Sequence, residues 1–222
     1  MQRSVALALL QVYADELTKH PEEDGLKKPF FLFIDEPEIC LHPKAQSKLF
    51  NVLLELSKTK QVFLTTHSPY FLVSEYLNTI GLFIFLLEGG VPKVERVNNT
   101  NSNILPWSPT WGEINYKAYK LPTIEFHNEL YGRLQELSRK WKISEFENWL
   151  ASQGVEKIKQ WTMEINGNAR NPEDTTLQTY IRNKIHHPEN VTMQQHEFNE
   201  DELDNSISQM IYLITTYTDG EA

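Results

Sequence analysis

The chain has 222 residues, 40% of them hydrophobic and 23% charged, a balance that suits a folded globular protein of one large domain or two small ones. The net charge is −9, and residues 171 to 222 set ten acidic side chains against only Arg182 and Lys184, which excludes a broad basic face for phosphate backbones there. The one cysteine, Cys40, excludes an internal disulfide framework, no apolar run reaches the ~20 residues of a bilayer-crossing helix, and the N-terminal residues lack a secretory pattern, so a cytoplasmic chain without a membrane partner is expected.

The first half alternates elements as a parallel sheet requires. In "QRSVALALLQVYADELTKH" (2–20), Val5, Leu9, Val12, Tyr13 and Leu17 recur at helical spacing and predict a helix. "FFLFI" (30–34) is a continuous apolar run, as in a strand covered on both faces. Cys40, a little further on, is expected to be a small buried hydrophobe. "PKAQSKLFNVLLELSK" (43–58) opens with Pro at the first turn and predicts a helix, and "QVFLT" (61–65) predicts a second buried strand. "SPYFLVSEYL" suggests a short helix, and "GLFIFLLE" with "VPKVERV", joined through Gly89 and Gly90, predicts a hairpin.

The stretch 98–116 is rich in Asn, Ser and Pro, lacks periodicity and reads as a linker or crossing loop. Helices are expected beyond it. Ile124, His127, Leu130, Tyr131, Leu134 and Leu137 share one face of 121–141. Ser144 with Glu147 three residues later has the form of a capping box. "TTLQTYIRNKIHH" (175–187) stops at Pro188, and 199–217 has an acidic first turn that suits the helix dipole. Trp107, Trp111, Trp141, Trp149 and Trp161 could stack on bases, but few lysines interleave with them, and packing is the expected role.

Two groups of residues carry chemistry. In "FFLFIDEPEICLHP" a buried strand ends on Asp35 and Glu36, and one strand later "TTHSP" places His67 at an adjacent strand end. Magnesium bound to a nucleotide needs few protein oxygens, which suits Asp35, while Glu36 could orient or deprotonate a water. His67 could reach the same centre, because ligands of open parallel sheets bind beyond the carboxyl ends of the strands. A turn and helix entry alone would also account for Asp-Glu-Pro. His42 reads as a loop or packing residue.

"FLFIDEPEICLHP" followed by "VFLTTHSPYFL" resembles the Walker B, D-loop and switch-histidine region of ABC-class ATPases, particularly the RecF-like and OLD-like branch alongside the structural-maintenance-of-chromosomes proteins. The resemblance spans residues 2 to about 97 and implies ATP and Mg2+ as cofactors, with Asp35 on the metal, Glu36 on the water and His67 as switch. It places Gln2 and Arg3 at the trailing edge of the signature motif, with Gln2 at the nucleotide. The phosphate loop G-x-x-x-x-G-K-[ST] does not occur in these residues. The expectation is therefore a truncated ATPase head that is inactive alone and is completed by a missing N-terminal half or a partner ATPase chain.

In the second group, Arg182, Asn183 and His187 lie in "RNKIHH" near a helix end. An Arg and a His converging on a phosphodiester suit metal-independent RNA cleavage, with His as acid or base and Arg as stabiliser of the phosphate. "RNKIHH" resembles the R-N-x-x-x-H motif of HEPN ribonuclease domains, helical bundles that dimerise to bring two motifs together and that occur fused to ATPases in bacterial defence and toxin systems. The expected fold is α/β followed by mainly α. A partial ABC-ATPase parallel sheet with helices covers 1–97, a linker 98–116, and a HEPN-like helical bundle 117–222. The expected dimer interface is whichever of the Ile124/Leu130/Leu134/Leu137 and Ile207/Met210/Ile211/Ile214 stripes the bundle's own core does not consume. RNA or DNA is the implied partner. Two other readings stay open: a RecF/OLD-like ATPase at DNA whose helical region serves only dimerisation or partner binding, and an inert remnant. A metal site at His186, His187 and His196 lacks carboxylate or Cys support.

Overall fold

The computed structural model describes residues 31–77, 79–97 and 104–219, together with Val12. The helix expected over 2–20, with Gln2 and Arg3, lies outside the described residues except for Val12, which is helical and exposed. Two units are present, Met1–Val73 and Ser74–Ala222.

In the first unit β1 (Phe31–Asp35) and β2 (Gln61–Thr65) run parallel, with Asp35 opposite Thr65. The connection between them contains helix α1 (Pro43–Ser57), the crossover a parallel pair needs. Pro43 stands at its first turn, and His42 Nδ1 accepts the Lys44 amide at 3.3 Å, so His42 is the helix cap. Leu49, Phe50, Leu53 and Leu56 form the buried stripe of α1, and Phe50 meets Phe71 with ring centroids 5.6 Å apart. In place of the expected short helix stand two 3-10 turns, Pro69–Phe71 at the end of this unit and Ser74–Tyr76 at the start of the second. The strands alternate: Leu32 is buried, while Phe31, Phe33 and Phe63 are exposed. Coverage on both faces is thus not what the described residues show. Cys40 is exposed too, because it lies in the turn after β1 with a left-handed φ of 66° and not within the strand.

In the second unit β3 (Phe83–Glu88) and β4 (Val91–Arg96) form the expected hairpin, with Gly89 and Gly90 at φ 56° and 83°, the positive pair of a two-residue turn. Helix α2 (Trp111–Tyr119) begins inside the segment read as a linker. Helices α3 (Ile124–Ser138), α4 (Ile143–Ser152), α5 (Leu177–His186) and α6 (Glu200–Asp219) follow. Between α4 and α5 short strands interrupt this mainly helical region: β5 (Lys159–Trp161) pairs with β8 (Glu173–Thr175), and β6 (Glu164–Ile165) with β7 (Asn168–Ala169).

Helices α3 and α6 pack along most of their length. Phe126, Leu130, Leu134, Ile207, Met210 and Ile214 are buried between them and their neighbours in one core. The bundle's own core consumes both candidate stripes for a dimer interface, apart from Ile124, which is 42% exposed. Ser144 does not cap α4. Lys142 holds that position without a side-chain bond, and Glu147 turns inward to the start of α5, accepting the Thr176 amide at 2.5 Å and its hydroxyl at 3.0 Å. The tryptophans divide: Trp161 is buried and Trp149 packs on Phe146, whereas Trp107 and Trp141 are exposed. No helix of the described residues is long and apolar enough to cross a membrane.

Candidate functional site

The parallel register of β1 and β2 brings Asp35, Glu36 and His67 to one end of the strand pair. The Thr65 hydroxyl donates to Asp35 Oδ1 and accepts the Glu36 amide at 3.1 Å, and the Thr65 carbonyl accepts the same amide at 3.2 Å. Glu36 takes a φ of 41°, a left-handed backbone that costs a residue other than Gly roughly 1–3 kcal/mol and concentrates at functional sites. That bend directs the Glu36 carboxylate toward the β2 loop, where its Oε1 lies 3.5 Å from His67 Nε2. The His67 side chain is 82% exposed and that of Glu36 33%, so both are open to an incoming group. They line an open depression of about 330 Å³ together with Glu38, Cys40, Gln46 and Ser68.

Glu38, absent from the sequence-based candidates, is only 6% exposed. Its Oε1 accepts the Thr66 hydroxyl at 2.5 Å and the His67 amide at 3.1 Å. The second acidic position in "DEPE" was visible in the sequence, but its partners 28 and 29 residues away were not.

The donor set can be tested against nucleotide-bound magnesium. Asp35 is an exposed carboxylate held in place by a hydroxyl, and both offer hard oxygen. No group of three or more His, Cys, Asp or Glu among the described residues could hold a metal outright. One oriented carboxylate nevertheless fits an ion that keeps its waters and takes its other ligands from phosphates.

In the second unit Arg182 and Asn183 are joined, Arg182 Nη1 donating to Asn183 Oδ1 at 3.0 Å, with Asn183 buried. His187 caps α5 through its amide on the Asn183 carbonyl at 2.9 Å. Its side chain is half-exposed, with Nδ1 3.2 Å from Glu189 Oε1 and the ring 6.2 Å from that of Trp161. The contacts of Arg182 and His187 thus differ: Arg182 leans on Asn183, and His187 turns to Glu189 and Trp161. Partial burial, then the Arg182 charge, lowers the basicity of His186.

The AAA ATPase domain family matches residues 1–72 of this chain. The chain is also 37% identical over 76 residues to the Old nuclease of Escherichia phage P2, a stretch covering 34% of this chain and 13% of that protein. It thus spans a small part of the curated relative's length. No solved structure matches. These similarities support an AAA/OLD-like ATPase relationship for the N-terminal region.

Proposed function

We propose that the first unit is the carboxylate-and-histidine half of an ATP-hydrolysing site. The observation that carries this reading is the strand-end geometry: Asp35 opposite Thr65, and His67 Nε2 3.5 Å from Glu36 Oε1. Asp35 would hold nucleotide-bound Mg2+, which supplies charge neutralisation at the phosphates when bound. Glu36 accepts a proton from, or orients, the attacking water. His67 donates toward the terminal phosphate from its exposed ring and keeps Glu36 aligned through its Nε2 edge. A Gly-rich phosphate cradle comes from an N-terminal ATPase half or a partner chain. The exposed Phe31, Phe33 and Phe63 offer that half an apolar face.

The test is ATP turnover by the chain with and without a segment supplying the cradle. The chain alone should hydrolyse negligible ATP, the completed protein should hydrolyse it, and Glu36→Gln should abolish that activity. Strong hydrolysis by the chain alone would reject this reading.

A second reading concerns the helical unit, as a HEPN-like metal-independent ribonuclease in a cytoplasmic bacterial defence or toxin system. The Arg182–Asn183 hydrogen bond and the half-exposed His187 at the end of the same helix favour it. The nuclease in the phage relative's name belongs to a protein this chain covers only in small part. A two-fold dimer pairing two such motifs would have to use surface other than the buried α3 and α6 stripes. RNA degradation in EDTA should fall at least ~100-fold in His187→Ala and Arg182→Ala. Equal activity in all three proteins, or cleavage lost with chelator, would reject the mechanism and leave the helical unit as a partner-binding module on a DNA-associated ATPase.

A further inference from the structure

We propose that Glu38 is a positioning residue that latches the His67 loop to the turn carrying Asp35 and Glu36. The inference rests on the ATPase reading for its chemical consequence, though not for its geometry. Glu38 lies three residues after Asp35, in the turn that follows β1, and is 6% exposed. Its Oε1 reaches the neighbouring strand end and takes two donors from consecutive residues there, the Thr66 hydroxyl at 2.5 Å and the His67 backbone amide at 3.1 Å. Hydrogen bonds to a charged acceptor are about twice as strong as neutral ones.

The latch continues on the far side of His67. The Thr66 hydroxyl oxygen accepts the Ser68 amide at 2.9 Å, Ser68 Oγ donates to Gln46 Oε1 at 2.5 Å, and Gln46 Nε2 donates to the Leu41 carbonyl at 3.0 Å. Leu41 closes the same turn, its amide donating to the Glu38 carbonyl at 2.9 Å. His67 is therefore held by its backbone and by both chain neighbours, while its ring stays 82% exposed beside Glu36.

A purely structural role explains this carboxylate poorly. Its other oxygen, Oε2, is buried and has no partner among the described residues. A buried unpaired carboxylate oxygen is unfavourable, and such exceptions call for a reason. A reason follows from the two donors converging on one oxygen: they fix where His67 begins its side chain. Misplacing a reacting group by about 1 Å costs on the order of a hundredfold in rate.

The experiment compares wild type, Glu38→Ala, Glu38→Gln and Glu38→Asp in the whole chain by NMR. In Glu38→Ala the His67 amide should exchange at least ~10-fold faster, and the order parameter of the His67 backbone amide should fall from about 0.85 to below about 0.6. Glu38→Gln should keep both signals, because its carboxamide oxygen can accept both donors. The amides pairing β1 with β2 should be unchanged throughout, which excludes general loosening. Should Glu38→Ala not fold, Glu38→Asp carries the same expectation, since one methylene fewer cannot reach both donors. In the completed ATPase, Glu38→Ala should lower kcat at least ~10-fold at unchanged KM, with no further loss when added to His67→Ala. Unchanged His67 exchange and order in the Ala and Asp variants would overturn the proposal, and so would losses that multiply in the double variant. If the completed wild type does not turn over ATP, the ATPase reading fails while amide exchange and backbone order still decide the latch.

Discussion

His127 shows how a single buried residue makes the helical unit sensitive to acid. Its side chain is 0% exposed, between α3 and α6, with Nε2 3.0 Å from Ser206 Oγ. Burial, the largest cause, pushes its pKa down to about 3, with a lesser lowering from His186. In the unfolded chain the same imidazole takes up a proton near ~6.5. Between those two values the unfolded state binds one more proton than the folded state, so stability falls as pH drops. The expected contribution is about 1.4 kcal/mol per pH unit, present in full above ~6.5 and eroding below it. Urea denaturation at pH 7, 6, 5 and 4 checks this against His127→Gln, whose profile should be flatter by one proton. Parallel profiles would show that His127 is not held neutral.

At the scale of elements, legibility follows how local the determining interaction is. "FLFID" and "QVFLT" are readable as strands because each holds a short apolar run between loops, and they pair in the expected parallel sense. The hairpin was readable because Gly89 and Gly90 supply two consecutive positive φ values. Helix α2 was obscured by the Asn, Ser and Pro around it, although Thr110 and Glu113 have the S/T-x-x-E spacing of a helix start and Thr110 Oγ1 accepts the Glu113 amide at 3.2 Å. Glu147 misled for the opposite reason. Its spacing from Ser144 is that of a local cap, but its carboxylate bonds Thr176, 29 residues away, and no window on the sequence contains that pair. The two- and three-residue strands between α4 and α5 are too short for any period to show. The same division runs through the candidate site. The placement of Asp35, Glu36 and His67 at neighbouring strand ends is legible from the sequence, whereas Glu38 depends on a contact that the fold creates.

At the scale of the molecule, what is left uncovered bears on how the chain works. Phe31, Phe33 and Phe63 lie on one face of the β1–β2 pair, 53%, 74% and 45% exposed, with the Phe33 and Phe63 rings stacked at 4.8 Å. Separately, Phe83, Phe85, Leu87 and Val94 stand exposed on one face of the hairpin. A two-stranded sheet is marginal in water, and contiguous apolar surface of this kind marks a surface meant to be covered. If an ATPase half completes the site at Asp35, Glu36 and His67, its helices are the natural cover for the β1–β2 face. The isolated chain should then enhance the fluorescence of 1-anilinonaphthalene-8-sulfonate, a probe of exposed apolar surface. Phe33→Thr with Phe63→Thr should weaken that signal while leaving the α3–α6 core intact by near-ultraviolet circular dichroism. Adding the cradle-bearing segment should quench it in wild type and do so less effectively in the double variant, whose affinity for the segment should fall by about 10-fold or more for the two rings removed from the contact. A signal unchanged by the segment in a mixture that hydrolyses ATP would place the completing half elsewhere on the chain.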